Sequence, residues 1–327
     1  MENFKAIEYH HTRDFSRKMN ATFEFIRQNF KSLGKSILII AGPPILVASL
    51  IIATFIDDFF GLARAAASNI GNPEVIETYV MSVTFWLQIV LMFLLFLISS
   101  IMSIATINNY IILYEEKQTN RIEVIEVWNR VRESFWMYFG TTIFFFVLGV
   151  VAIVIMAIPV GILAAISPFL VFLGIWACYF GIIYLMISVS LTYFVRAYEK
   201  KGFVESITRS FKLIQNKWWS TFGLLIILYM ITGIASYIFI APLYFYALVS
   251  TMHDTSVNMF EQSSTVWIAV ALFVLYYFAQ LVLGALPNIG IAFQYFNLVE
   301  MKEAKGLLGK IDTLGQSRPP STSEEQY

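Results

Sequence analysis

Charge is what this sequence has least of. Only 13% of its 327 residues are charged and 58% are hydrophobic, and mean hydropathy is +0.70. A soluble domain carries about a quarter charged residues, so too little charge is present to coat a water-soluble globule of this size. Cysteine is almost absent. Cys178 alone excludes an intrachain disulfide. It has no His or charged residue beside it to activate the thiol and is expected to be a small packing residue. Histidine occurs three times. His10 and His11 are expected on one side of a membrane and His253 on the other, so they cannot converge on a metal. The adjacent pair lacks a second pair of ligands and is expected as an exposed N-terminal pair. No Gly-rich phosphate loop or paired-ligand motif occurs. These absences point away from an enzyme and from any cofactor. The 22 basic and 22 acidic residues balance, and no nucleic-acid partner is expected. No cleavable signal peptide is expected either, because the first apolar stretch begins near Ile37, behind a mixed-charge leader.

What is present is long apolar sequence. Five windows contain no Asp, Glu, Lys or Arg: 36–56, 78–114, 134–195, 218–253 and 262–299. A spanning helix needs about 20 apolar residues. The window 134–195 is too long for one span and breaks at Ser167-Pro168, so it holds two. The expectation is an all-α membrane protein with six transmembrane helices, roughly 37–56, 80–112, 140–163, 169–195, 221–249 and 265–298. A membrane barrel is excluded, since its strands alternate apolar and polar residues and runs such as Ile143–Ile158 do not.

The charges that exist are sorted by side. With six spans, 1–36, 115–139, 196–220 and 299–327 share one face, which carries 21 of the 22 Lys and Arg against 16 acidic residues. The opposite face has Arg64 and six acids: Asp57, Asp58, Glu74, Glu77, Asp254 and Glu261. Basic loops stay in the cytoplasm, which predicts both termini there, in a bacterial inner (cytoplasmic) membrane.

A repeat runs through the chain. Gly34, Gly140 and Gly223 align; Leu33, Phe139 and Phe222 precede them, and Phe30, Trp136 and Trp219 precede those by three. The second helix of each unit ends in Tyr110–Lys117, Phe194–Lys201 or Tyr295–Lys302, with an aromatic, a Glu and a Lys at shared spacing. Each unit opens with an amphipathic stretch: Phe15, Met19, Phe23, Ile26, Phe30 and Leu33 in the first; Ile122, Ile125, Trp128, Val131 and Phe135 in the second; Phe203, Ile207, Phe211, Ile214, Trp218 and Phe222 in the third. Steps of three and four mark one helical face. Arg17, Lys18, Arg27 and Lys31 lie off that line in the first unit. Two placements fit: at the lipid–water interface, with Phe30, Trp136, Phe211, Trp218 and Trp219 as anchors, or packed together as a small cytoplasmic bundle. A basic face opposite aromatics favours the interface. The organisation is thus three parallel repeats of interfacial helix plus transmembrane hairpin, over 1–117, 118–202 and 203–305, with a disordered cytoplasmic tail over 306–327. For the recurring Glu-x-Lys phrase, Lys at a helix C-terminus, complementing the dipole and snorkelling, is explanation enough.

The phrase Glu205–Gly223, feeding a span, resembles the membrane domain attached to some glycerophosphodiester phosphodiesterases and related stand-alone bacterial six-span families of unknown function. The resemblance is architectural, over roughly 15–300. It implies a bacterial inner-membrane protein and does not imply phosphodiester hydrolysis, which in that family belongs to a separate soluble domain.

Within the spans no ionisable side chain is found, so a proton- or ion-coupled transporter is not expected. Uncharged polarity remains on the even-numbered helices: Ser103, Thr106 and Asn109; Ser188 and Thr192; Gln280, Asn288 and Gln294. Small and amide side chains of this kind glue helices together. The alternative is a polar cavity at the cytoplasmic half, beside a carbonyl freed by Pro287. The favoured function is a non-catalytic scaffold or accessory protein that binds membrane lipids and, through its cytoplasmic helices and tail, protein partners. An uncoupled transporter, channel or flippase-like protein for a small solute or lipid is the alternative, and a membrane sensor a third reading.

Overall fold

The computed structural model describes residues 6–68, 74–253 and 263–304, together with 306, 308 and 311. Every regular element among them is an α-helix: α1 (Phe15–Ser68), α2 (Glu74–Val80), α3 (Val83–Lys117), α4 (Val124–Ala164), α5 (Pro168–Val189), α6 (Thr192–Glu199), α7 (Phe203–Ile214), α8 (Trp218–His253), α9 (Ser263–Leu283) and α10 (Ala285–Glu303). Six helical stretches are long and apolar enough to cross a membrane: Phe15–Phe55, Val83–Lys117, Val124–Ala164, Pro168–Glu199, Trp218–Pro242 and Trp267–Glu303. The protein is a multi-pass membrane protein by this measure. Most of the tail, and Asp254 and Glu261 between α8 and α9, lie outside the described residues.

The helix breaks have local causes. Ser82 caps α3, its hydroxyl accepting the Phe85 N–H at 3.2 Å. Ser167 caps α5 in the same way, its hydroxyl accepting the Phe169 N–H, and Pro168 fills the first turn, where its missing N–H is not needed. The break expected at Ser167-Pro168 is therefore present. Asn216, at φ 66°, turns the chain between α7 and α8; Asn tolerates this left-handed region better than most residues.

Four expectations change. The amphipathic stretch is a separate helix only in the third of the expected units, as α7. In the first two it continues into the span, and α1 runs 54 residues without a break, about 80 Å at helical rise against a hydrocarbon core of about 30 Å. No turn residue like Asn216 intervenes there, and Gly34 alone does not interrupt a hydrogen-bonded ladder. The fourth expected helix stops at Val189 and resumes as α6. The sixth breaks at Gly284, not Pro287: Pro287 lies in the first turn of α10, where it needs no donor, and the Asn288 side chain donates to the Gly284 carbonyl at 2.8 Å.

The fourth change concerns which face is inside. Over 15–34, the first part of α1, the buried residues are Lys18, Thr22, Phe25, Asn29 and Leu33. Phe15, Phe23 and Phe30, from the expected apolar line, are exposed. The apolar stripe points outward and a largely polar stripe points in, the reverse of a helix on a water-soluble protein.

The chain divides into two compact units. One comprises Met1–Arg27, Val151–Leu225 and Ile289–Tyr327; the other comprises Gln28–Val150 and Ile226–Asn288. In the second, the end of α3 is the core: Tyr110 donates to Asn29 Oδ1 at 3.0 Å, Tyr114 to Gln28 Oε1 at 2.9 Å, and Asn109 to Ser134 Oγ at 2.9 Å. Ser99 donates to the Ala41 carbonyl at 2.6 Å. In the first, Ala292 to Glu300 of α10 are all buried.

Candidate functional site

The richest chemistry gathers in the first unit, where α6, α7, α10 and the N-terminal segment meet. α6 ends in Lys200, whose left-handed backbone (φ 54°) reverses the chain toward α7, capped by Gly202. This brings Glu199 against Arg209 of α7. Glu199 accepts from Arg209 Nε at 3.0 Å, from Lys201 Nζ at 2.8 Å and from the Tyr295 hydroxyl at 2.7 Å. Arg209 also pairs with Glu303. The hydrogen bond to Glu303 and then that to Glu199 hold the Arg209 guanidinium above its ordinary range. Charge-assisted bonds in a half-dry setting are the strong kind. Lys302 donates to the Lys212 and Gln215 carbonyls at the end of α7. The Glu-x-Lys phrase therefore ties helices together here, and the helix end that Lys302 meets belongs to another helix, not its own. In the second unit Lys117 and Glu116 pair with Glu126 and Arg130 of α4.

The N-terminal segment inserts above α10. Tyr9 is buried, with its ring centroid 5.3 Å from Phe293 and 4.7 Å from Phe296. Arg13 lies over the Phe293 ring, and its backbone N–H donates to Asn297 Oδ1 at 2.6 Å. Burial lowers the Arg13 pKa from its ordinary value. His10 is not the exposed residue expected. It is half-buried and edge-on to Phe296 at 5.1 Å, and its Nε2 lies 3.5 Å from the Tyr198 hydroxyl. A cavity of about 260 Å³ opens there, lined by His10, Tyr198, Tyr295, Val299 and Gly306.

Lys18 is the residue that sequence reasoning placed worst. Read as part of an exposed basic face, it is only 2% exposed. Its Nζ donates to Gln294 Oε1 at 2.7 Å and to Ser220 Oγ at 3.0 Å, and Gln294 in turn donates to Thr221 Oγ1 at 2.8 Å. An ammonium with neutral partners is costly to bury. The available signal was the spacing of Lys18, Thr22, Phe25 and Asn29, which also steps by three and four. Its members are mostly polar, so a rule that looks for apolar stripes does not select it.

The eight expected cavity residues fall in both units and are treated unit by unit. In the second, Thr106 donates to the Met102 carbonyl, Asn109 to the Ala105 carbonyl as well as to Ser134, and Asn288 to Gly284. Ser103 is buried. Gln280 donates to the Tyr276 hydroxyl at 3.0 Å, and both line a cavity of about 300 Å³ with Gly233, Ser236, Tyr237, Ile240 and Tyr244. In the first unit, Ser188 donates to the Tyr184 carbonyl, Gln294 holds Lys18 and Thr221, and the Thr192 hydroxyl is buried without a hydrogen-bond partner. Of the five expected anchors, Phe30, Trp136 and Trp219 are 60%, 74% and 77% exposed. Phe211 and Trp218 are half-buried, and Trp218 donates to the Tyr184 carbonyl at 3.2 Å. Cys178 packs with its sulfur 3.8 Å from the Met156 carbonyl.

A family model described as a domain of unknown function (DUF7847) matches residues 132–287. No curated protein and no solved structure matches the chain.

Proposed function

We propose that this protein is a non-catalytic scaffold or accessory protein of the bacterial inner membrane, with both termini in the cytoplasm, binding lipid and partner proteins. Its architecture is three parallel repeats, each an amphipathic helical segment leading into a transmembrane hairpin. One observation carries the reading: the aromatic at the same place in each repeat, Phe30, Trp136 or Trp219, is exposed in all three. An exposed aromatic at the mouth of each hairpin suits the headgroup level, where amphipathic rings are enriched. Shared burial supports the repeat too, since the aligned Tyr110, Phe194 and Tyr295 are all buried. The partition of basic residues supports the orientation.

The test has two parts. Cysteines introduced at Ser68 and Ser256 label from outside intact cells, and those at Gln118 and Ser317 do not; outside labelling of Ser317 overturns the topology. In liposomes, headgroup-level quenchers dim the fluorescence of Trp136 and Trp219, each kept as the sole tryptophan. Water-soluble quencher reaching both freely, with no lipid quenching, ends the interfacial reading.

The competing reading is an uncoupled transporter, channel or flippase-like protein. The observation in its favour is the cavity between α8 and α9 in the second unit, where Ser236 and Gln280 join three tyrosines, Gly233 and Ile240 in the lining. Solute uptake into liposomes that is lost in Gln280→Leu with folding intact would replace the scaffold reading with this one.

A further inference from the structure

The cavity between α8 and α9 lies wholly in the second unit and is open at its side. Gly233, Ser236, Tyr237 and Tyr244 line it from one face of α8, and Tyr276 and Gln280 line it from α9. Tyr237 and Tyr244 are 69% and 65% exposed, Gly233 is exposed, and a Cβ at Gly233 would meet nothing within 4 Å. Ser236 and Gln280 stand at the middles of the charge-free windows 218–253 and 262–299, as far from a charged residue as these stretches allow. Polarity at that depth in a bilayer is costly, and its ordinary use is a bond across a helix pair. Among the described residues neither side chain makes one. Ser236 donates to the Thr232 carbonyl of its own helix at 2.7 Å, and Gln280 donates to the Tyr276 hydroxyl of its own helix at 3.0 Å. Among the described residues Gln280 Oε1 and the hydroxyls of Tyr237 and Tyr244 have no hydrogen-bond partner, and the Thr232 hydroxyl, beside Gly233 in the chain, is buried without one.

These features select both a head and a body for the ligand. No Asp, Glu, Lys, Arg or His is among the described lining residues, so an ionised head would be buried at depth without a counter-charge, which a bilayer interior opposes. The open Gln280 oxygen accepts and cannot donate, whereas a tyrosine hydroxyl does both. An ether or ester head brings no donor to Gln280; a hydroxyl head brings a donor and an acceptor together. The exposed side, at Gly233, Tyr237 and Tyr244, faces lipid and admits a hydrocarbon chain. We infer that this slot binds a neutral lipid alcohol, an uncharged hydroxyl head on a hydrocarbon chain, entering sideways from the bilayer. The inference gives one chemical class to the lipid binding proposed above, on which it rests, and is indifferent to topology, to the interfacial anchors and to whether anything passes through the slot.

The experiment places the full-length protein in nanodiscs of phosphatidylcholine, which has no hydroxyl, with a long-chain alcohol carrying a photoactivatable diazirine near its head. Cross-links are mapped by mass spectrometry and should saturate and fall on 233–244 and 276–280. Three unlabelled competitors share one oleyl chain: the alcohol, its methyl ether and its sulfate ester. The alcohol should compete about fivefold better than the ether, the scale of one neutral hydrogen bond. The sulfate, ionised at every working pH, should compete at least about tenfold worse than the alcohol. Gly233→Phe puts a ring into open space and should abolish saturable labelling. Should that variant misfold, Gln280→Leu keeps the slot and removes the acceptor; labelling should persist while the advantage of alcohol over ether disappears. Labelling that does not saturate or maps elsewhere, ether or sulfate competing as well as the alcohol, labelling unchanged in Gly233→Phe, or an alcohol advantage kept in Gln280→Leu overturns the assignment. Such a failure leaves the scaffold reading standing, since that reading fails separately, through outside labelling of a cysteine at Ser317 or free aqueous quenching of Trp136 and Trp219.

Discussion

α5 and α10 are both apolar helices of the same unit, and they have opposite surroundings. α5 buries only Gly174 and Ser188 along its length. α10 buries every residue from Ala292 to Glu300. In α4 and α5 the most hydropathic stretch contains no buried residue, whereas in α1 half of it is buried. Apolar content by itself does not bury a helix, because lipid tails and protein neighbours are equally apolar and no hydrophobic force drives helices together in a bilayer. Polar content does. α10 carries Asn288, Gln294, Asn297 and Glu300, and its buried Tyr295 and Phe296 rings meet edge to face. α5 is dominated by aliphatic and aromatic side chains that face outward. In this protein the polar residues mark where protein meets protein.

If that contrast is real, equal truncations on the two helices should differ widely. Phe296→Ala on α10 removes a ring in contact with Tyr9, Phe194, Tyr198 and Tyr295. It should cost about 4 kcal/mol. Phe180→Ala on α5, at an exposed ring, should cost less than about 1 kcal/mol. Unfolding in mixed micelles measures both, and similar losses would break the comparison.

Next in size is Glu199→Ala. It removes the shared acceptor of Arg209, Lys201 and the Tyr295 hydroxyl, leaving Arg209 only Glu303 as an acidic partner among the described residues, and the Glu199 side chain is only 10% exposed. Removing one member of such a buried network costs about 3 kcal/mol. The same unfolding assay reads it, and Glu199→Gln, which keeps the acceptor oxygen for Tyr295, should lose less.

Tyr110→Phe sharpens the contrast in the second unit, because it removes the hydroxyl that donates to Asn29 from a fully packed ring. About 1 kcal/mol is expected, seen as a lower unfolding midpoint with unchanged cooperativity. Asn288→Leu is the smallest. Its amide donates to the Gly284 carbonyl, at the break just before its own helix, and about 0.6 kcal/mol is the scale for such contacts in membranes. A loss several times larger would mean that Asn288 serves a partner beyond its own backbone.

Much of the fold was legible in the order of residues. Charge-free windows counted six spans, and Ser167-Pro168 divided the longest. The site was much less legible. The expected apolar line of α1 was correct as a periodicity and inverted as a placement, since Phe23 and Phe30 face out while Lys18 and Asn29 face in. A water-based rule puts the apolar face inside; beside lipid the two faces can exchange roles. Likewise Glu199 and Lys302 looked like ordinary helix ends, because their partners on α7 are fixed only by the reversal at Lys200.

Sequence alone determined that this chain lives in a bilayer and roughly where it crosses, because a span needs a minimum length of uncharged residues and lipid offers backbone groups no partners outside the helix. Tertiary structure alone decided which polar groups meet. The Lys18–Gln294 contact joins residues 276 positions apart, Tyr295–Glu199 joins residues 96 apart, and the cavity at His10 is closed from both ends of the chain. Helical periodicity tells which residues share a face. It does not tell which helix that face will find, and the chemistry of this protein is set by that pairing.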